Sequence, residues 1–379
     1  MMKIIKKAIL PKGFKANGSA SGIKKSGKPD LALIYTDVPA IAAAQFTSNT
    51  VQAAPLKVNK LHLKKSRFFS AILANSGNAN CFTGRQGFRD AVKSAAVLGR
   101  TLGIKQESVL VASTGIIGKR LPAGVIEKAV PGLVRGLSAR GIDRAKKAIM
   151  TTDVFAKEAT AVFDIGRVPV TVCGIAKGAG MISPRMATML CFVMTDAVIS
   201  PGALREALDK AVDGSFNCIT VDGCMSTNDN VLLLANGAAG NPCIRTGAAG
   251  TPFSRALRSV CLELAMMMVK DGEGATKFIR ITVRQARTEG EARQVALAIA
   301  NSNLFKTAVY GENPNFGRIV AAAGASGIAV KEESLRVRLG PLNRRDIDVD
   351  VSLGRGRAGA AVYTSDLTPE YIKINAAYN

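Results

Sequence analysis

The sequence predicts a mixed α/β chain that closes on a smaller α+β unit from about residue 275. Three observations carry that prediction. Short apolar runs bounded by Gly, Ser or Asn recur at 31–37 (LALIYTD), 68–75 (FFSAILAN) and 108–114 (SVLVAST), as buried strands require. Segments with apolar residues every three or four positions alternate with them. Beyond Gly274 the pattern changes to strict alternation, with Ile279, Ile281 and Val283 facing one way and Arg280, Thr282 and Arg284 the other.

Taken in order, the first helix follows Gly84, where Val92, Ala95, Ala96 and Leu102 share one face. Ser200-Pro201 is a helix start, an N-cap followed by proline at the first helical position; Leu204, Ala207, Leu208, Ala211 and Val212 then recur at helical spacing. Residues 253–270 make an apolar helix with Leu257, Cys261, Leu264 and Met268, and three consecutive methionines that read as core filler. A helix at 291–301 and alternating strands at 335–339 and 347–351 complete the last unit. The glycine-rich stretch 236–250 is expected to be an exposed loop between units.

The 379 residues suggest two or three domains and suffice for a large core. No apolar run approaches the roughly 18 residues that span a bilayer, and the first residues lack a secretory pattern, so no membrane partner is expected. Seven scattered cysteines without a CxxC pair read as reduced thiols in a cytoplasmic protein. With a single histidine, His62, neither a zinc site nor a Ser-His-Asp triad is expected. The net charge of +23 is spread along the chain with no aromatic interleaving, so no nucleic-acid partner is expected. Attraction of acidic substrates and compositional drift remain as readings of that charge, drift being favoured.

Residues 177–197, KGAGMISPRMATMLCFVMTDA, hold the most information. A glycine-rich turn leads through Pro184 to Thr188, a hydroxyl set before an apolar run. Left without a partner in such a place, a hydroxyl costs roughly 1–3 kcal/mol. The plain reading is a β-branched residue in a strand. The functional one is a nucleophile whose base is its own α-amine, freed by a chain break between Ala187 and Thr188. Such an amine has an ordinary pKa of about 7.7–8.0, suited to a general base.

The stretch KGAGMISPRMATML resembles the self-cleavage segment of the ornithine acetyltransferase (glutamate N-acetyltransferase) family. Matches continue in order along the chain: LANSGNAN at 73–80, STGIIG at 113–118, MTTD at 150–153 and VDGCMSTNDNVLLLANG at 221–237. KDGEGATK at 270–277, NPNFGRIVAAAG at 313–324 and TSDLTPEYIKINAAY at 364–378 follow. The resemblance implies an α/β sandwich of stacked sheets, cleaved into an α chain (1–187) and a β chain (188–379) that associate as a heterotetramer. It implies ping-pong transfer of acetyl from N2-acetylornithine to glutamate through Thr188, with acetyl-CoA as a further donor in some members. It implies no metal or organic cofactor.

Site residues carry over position by position. Thr114 and Gly115 match the oxyanion-hole pair. Lys177, Glu273, Asn375 and one of Thr151 and Thr152 match substrate contacts, together with Thr188 itself. Read without the resemblance, Ser113-Thr114-Gly115 is an ordinary turn after a strand, Lys177 a solvated cation and Glu273 a surface acid. Asp153, Asp196 and Asn228 read as capping or turn residues. The chain departs from the family at Ala179 (usually Ser), Arg185 (usually Asn) and Cys224 (usually Asp). It also ends at Asn379, one position before the usual terminal Ser or Thr. Arg185 is expected to slow cleavage and the missing hydroxyl to weaken substrate binding. A self-processing hydrolase and a non-catalytic basic binding protein are the rival readings.

Overall fold

A computed structural model describes residues 2–183, 189–245 and 250–377. They fall into two compact units, the first comprising residues 2–178, 189–215 and 225–264, the second 179–183, 216–224 and those from 265 onward.

In the first unit the chain forms β1 (Lys3–Ile5), β2 (Phe14–Ser19), β3 (Leu31–Phe46), α1 (Ala54–Lys65), β4 (Phe69–Asn78) and α2 (Gly84–Leu102). Next come β5 (Val109–Ile116), α3 (Ala123–Arg135), α4 (Ile142–Ala148), β6 (Lys157–Ile165) and β7 (Val168–Lys177). Last are β8 (Leu190–Thr195), α5 (Pro201–Asp213), β9 (Asn230–Ala235) and α6 (Pro252–Lys270), of which the residues up to Leu264 belong to this unit and those from Ala265 to the second. The strands run in the order β1-β6-β7-β8-β9-β3-β4-β5, with β2 on the free side of β3. Sixteen residues long, β3 serves two sheets: its first half pairs with β2 and β4, its second half, Ile41–Phe46, with β9. The register breaks between Tyr35 and Ala40, around Pro39, which has no N–H to give a ladder.

That break lets the two sheets stack. Ile34, Ile72, Ala74 and Leu110 of one face Ile175, Phe192, Met194, Leu232 and Leu234 of the other in one buried core. The opposite face of the first sheet, through Leu33, Leu73 and Val111, packs on Val58 of α1, Ala95 and Leu98 of α2 and Val130 of α3. Beyond the second sheet lies α6, whose Val260 and Leu264 come within 3 Å of where a side chain on Gly174 would start. The result is the layered sandwich that the resemblance implied. Covered on both faces, β8 and β9 are apolar throughout (LCFVM, VLLLA), as expected for parallel neighbours. Each such side chain contributes about 1.5–3 kcal/mol on burial.

In the second unit, β10 (Phe278–Ala286), β11 (Arg336–Leu339), β12 (Asp346–Ser352) and β13 (Ala358–Ser365) form a sheet in the order β11-β12-β10-β13. Helix α7 (Glu289–Ala300) covers one face through Val295, Ala296 and Ile299, with α8 (Asn303–Tyr310) and α9 (Gly317–Gly324) beside it and α10 (Pro369–Ala376) after the last strand. Ser200 caps α5 by accepting from the Ala203 N–H, as its position before proline predicts. The segment 236–245 is not a linker between units. Both flanks belong to the first unit, Asn236 and Asn241 are buried, and Ile244 bridges to Ile199. No helix of the described residues is long and apolar enough to cross a membrane.

Candidate active site

Ala187 and Thr188 lie outside the described residues, as do Pro184, Arg185 and Met186. The residues on either side are described.

Thr114 and Gly115 are the end of β5 itself, not a turn beyond it. There β5 runs parallel to β4, with Ser76 opposite Thr114 and Gly77 opposite Gly115. Gly115 has φ of 133°, and a Cβ on it would lie 2.5 Å from Asn78 N and 2.8 Å from Gly77 Cα, so only glycine fits. Asparagines hold this corner. Ser113 Oγ donates to Asn75 Oδ1 at 2.6 Å, and Asn75 Nδ2 donates to Asn78 O at 2.9 Å. Asn228 Nδ2 donates to Ala79 O at 2.6 Å and Ser113 O at 2.8 Å. With the Ser113 carbonyl held by Asn228 and with Thr114 and Gly115 in register with β4, the peptide chain at Ser113–Gly115 is fixed before any substrate arrives, which an oxyanion hole requires.

Lys177 ends β7 opposite Leu190, the second residue past Thr188. Far from being a solvated cation, it is 1% exposed, and its Nζ lies 3.4 Å from Thr114 Oγ1. Asp153 explains how a lysine is kept there. Its side chain is buried, and Oδ1 accepts from Lys157 Nζ at 2.5 Å and from the Gly178 N–H at 2.7 Å. Oδ2 accepts from the Thr151 N–H at 2.8 Å. Burial alone would raise its pKa, but the Lys177 and Lys157 ammonium groups hold the carboxyl well below the usual range. One aspartate therefore fixes the residue after Lys177 and the start of the Thr151-Thr152 pair, both of which are half-buried.

Sequence reading missed a second cation. Lys24 sits on a loop gripped by the Asp30 carboxylate, which accepts from Ser21 Oγ and from the N–H groups of Ser21, Gly22 and Lys24. Its Nζ donates to Pro29 O at 2.8 Å and Met150 O at 2.7 Å. Burial first, then Lys177, lower its pKa to about 8 against the opposing pull of Asp30 and Asp153. Asp229 was also missed. Fully buried, it accepts the Met189 N–H on Oδ1 at 2.9 Å, while the Asn230 N–H donates to Met189 O at 3.2 Å. The first described residue after Thr188 is thus pinned from both sides. Burial pushes the Asp229 carboxyl up to about 7, opposed by the Met189 N–H, the Ser226 hydroxyl, Lys177 and the Thr47 hydroxyl. In STNDN both aspartate and asparagines look like turn formers, which hid it.

In the second unit, the Glu273 N–H donates to Ala179 O at 2.9 Å, and its carboxylate lies against Gly180, where a Cβ would sit 2.6 Å from Oε1. Asn375 Nδ2 donates to Glu273 Oε2 at 2.9 Å and to Tyr371 O at 3.0 Å, so two sequence-predicted residues meet directly. Asp222 accepts from the N–H groups of Met181 (2.6 Å), Ile182 (2.9 Å) and Cys224 (3.0 Å), and from Tyr371 OH at 3.2 Å. Cys224 joins through its backbone, so the change from aspartate there removes nothing from this clamp. Burial, then Asp222, raise the Tyr371 phenol well above its usual range. Two other residues are structural: Asp196 accepts from the N–H groups of Thr171 and Lys12, and His62 is buried with Nδ1 2.7 Å from Val109 O.

A family model described as the ArgJ family matches residues 15–344. The arginine biosynthesis bifunctional protein ArgJ of Syntrophotalea carbinolica is 46% identical over 390 residues, covering 97% of this chain and 98% of the relative. Its namesake in Geobacter sulfurreducens is 45% identical over 389 residues, covering 97% and 99%. Among solved structures, ornithine acetyltransferase complexed with ornithine from Mycobacterium tuberculosis matches at 34% identity with a TM-score of 0.46. That match covers 50% of this chain and all of the other.

Proposed function

The chain belongs to the ArgJ family, and from that premise we propose that it transfers acetyl from N2-acetylornithine to glutamate through an acetyl-Thr188 intermediate. Cleavage between Ala187 and Thr188 gives an α chain (1–187) and a β chain (188–379), and two of each form a heterotetramer. The work is done in the cytoplasm on small amino acids, as one step of arginine biosynthesis. The relatives are named as bifunctional, and the proposal includes acetyl-CoA as a second acetyl donor to glutamate.

The Thr188 α-amine takes the hydroxyl proton as Oγ attacks the acetyl carbonyl, and the charge that develops on the carbonyl oxygen is met by Thr114 and Gly115. The acetyl–nitrogen bond breaks, the proton passes to the leaving α-amine of ornithine, and Oγ keeps the acetyl group. The glutamate amine then repeats the sequence in reverse. Lys177 and one of Thr151 and Thr152 take up substrate polar groups, and Glu273 with Asn375 the cationic end of ornithine.

The observation that carries this reading is the buried Lys177 ammonium 3.4 Å from Thr114 Oγ1. A cation in that position raises the electrophilic character of the Thr114 corner in a dry environment, where its field is screened little. The test is to mix the protein with N2-acetylornithine alone and then with glutamate. The second chain should gain one acetyl group in the first incubation and lose it to N-acetylglutamate in the second. Acetate released without need of glutamate would make the protein a hydrolase.

A further inference from the structure

Lys24 is half-buried, and among the described residues no carboxylate stands within 4.0 Å of its ammonium. Its Nζ rests instead on two backbone carbonyls, Pro29 O at 2.8 Å and Met150 O at 2.7 Å. A cation removed from water without an ion pair is unfavourable, and here Lys177 adds like charge. What the ammonium holds is the reason to keep it there.

Met150 O and the Thr151 N–H belong to one peptide group. Lys24 takes its oxygen at 2.7 Å, and Asp153 Oδ2 takes its N–H at 2.8 Å. A peptide unit is planar, so gripped at both ends it has no rotation that keeps both bonds. Both grips are charge-assisted, each about twice as strong as a neutral hydrogen bond. The orientation of this peptide sets the direction in which the chain enters Thr151. The base of Lys24 is fixed as well. Its N–H donates to Asp30 Oδ2 at 2.9 Å, and Asp30 O accepts the Ser76 N–H at 2.9 Å. Its stem lies on Gly77, where a Cβ would come 3.0 Å from Lys24 Cγ, and Gly77 stands opposite Gly115 in the β4–β5 ladder.

We propose that Lys24 is a positioning residue for substrate binding: it links the Gly77–Gly115 corner to the Met150–Thr151 peptide and so fixes where Thr151 and Thr152 meet the substrate. The inference rests on the reading of one of these threonines as a substrate contact. Lys24→Met keeps the stem and removes the donors. The threonine pair then loses its direction, a loss felt in the ground state and the transition state alike. KM for N2-acetylornithine should therefore rise about 10- to 150-fold, with kcat held within about threefold.

The pH course carries a sign. Asp30 and Asp153 favour the charged form of Lys24, burial, Lys177 and Lys28 oppose it, and the outcome is a pKa of about 8. The ammonium is intact below that value and lost above it. Charge assistance fades with it, so the wild-type KM should climb from about pH 7.5 to about pH 9.5. Lys24→Arg stays charged throughout, and its KM should stay level.

The experiment follows acetylation of the full processed protein by N2-acetylornithine in wild type, Lys24→Met and Lys24→Arg, with the Tm of each. A wild type that takes no acetyl group overturns the transferase reading, and this inference with it. An active wild type beside a Lys24→Met variant whose KM lies within about twofold of it, or whose loss is confined to kcat, overturns this inference alone. So does an alkaline rise that persists in Lys24→Arg, since another group then causes it. A purely structural lysine would lower Tm and leave KM and its pH course unchanged. Should Lys24→Met be insoluble, the other two proteins decide. A wild-type KM that is flat to about pH 9.5 overturns the inference, and a rise abolished by arginine supports it.

Discussion

Replacing Asp153 with asparagine should damage both stability and turnover, and the size of the damage can be worked out. The side chain is fully buried, as is that of Lys157, and Lys177 is 1% exposed. The amide keeps the volume but removes the counter-charge from both lysines. Removing one partner of a buried pair costs about 3–5 kcal/mol, because the remaining charge stays desolvated. At about 2–4 °C per kcal/mol for a unit of this size, Tm should fall by roughly 6–20 °C at pH 7. The Gly178 and Thr151 N–H groups also lose a charged acceptor, so kcat/KM should drop with Tm. The pH dependence is signed. Because the native pKa of Asp153 is depressed, its contribution is fully present above the unfolded value of about 3.9 and is lost as pH falls through the native one. The gap in Tm between the two proteins should be constant from pH 5 to 8 and close in stronger acid. Calorimetry across that range is the assay. A drop under about 2 °C at pH 7, or a gap that widens on acidification, would refute the argument.

Three further outcomes follow from the same geometry. Gly115→Ala must strain a φ of 133° and push Asn78 and Gly77 aside; kcat should fall about 10²–10³-fold in single-turnover assays of chain that has already cleaved. Lys177→Ala removes a buried charge-assisted contact and should cost about 10- to 150-fold in kcat/KM; unchanged kinetics would return Lys177 to a structural role. Glu273→Gln and Asn375→Ala each touch one pair, joined at 2.9 Å, so their effects on KM for acetylornithine should be non-additive by about 0.5–3 kcal/mol in a double-mutant cycle; strict additivity would mean they act apart.

Periodic and punctuated features of this chain were legible in its sequence. The Ser200-Pro201 start of α5, the alternation of β10 and the apolar face of α6 all follow from local chemistry, and the structure keeps them. The second half of β3 was not legible, because half of Ile41–Phe46 is alanine, which carries little strand preference; its place is set by pairing with β9, almost two hundred residues away. Pro131 inside α3 hid that helix in the same way. At the site, residues inside motifs were found and those that serve them were not. Lys24, Asp229 and the ionic role of Asp153 depend on partners brought in by the fold: Met150 for Lys24, Met189 for Asp229 and Lys177 for Asp153. A charged residue beside glycines reads as solvated until the structure buries it. The glycine-rich 236–250 stretch misled for the opposite reason, since Asn236 and Asn241 are satisfied by hydrogen bonds inside the first unit.

The central claim is that Thr188 becomes the first residue of a second chain and carries the acetyl group. Intact mass of the purified protein with N-terminal sequencing, on wild type and Thr188→Ala side by side, tests it most directly. The account predicts two wild-type chains, 1–187 and 188–379, the second beginning Thr-Met-Leu-Cys, and a single uncleaved and inactive chain for Thr188→Ala. A wild type that stays in one piece and still makes N-acetylglutamate from N2-acetylornithine would contradict it.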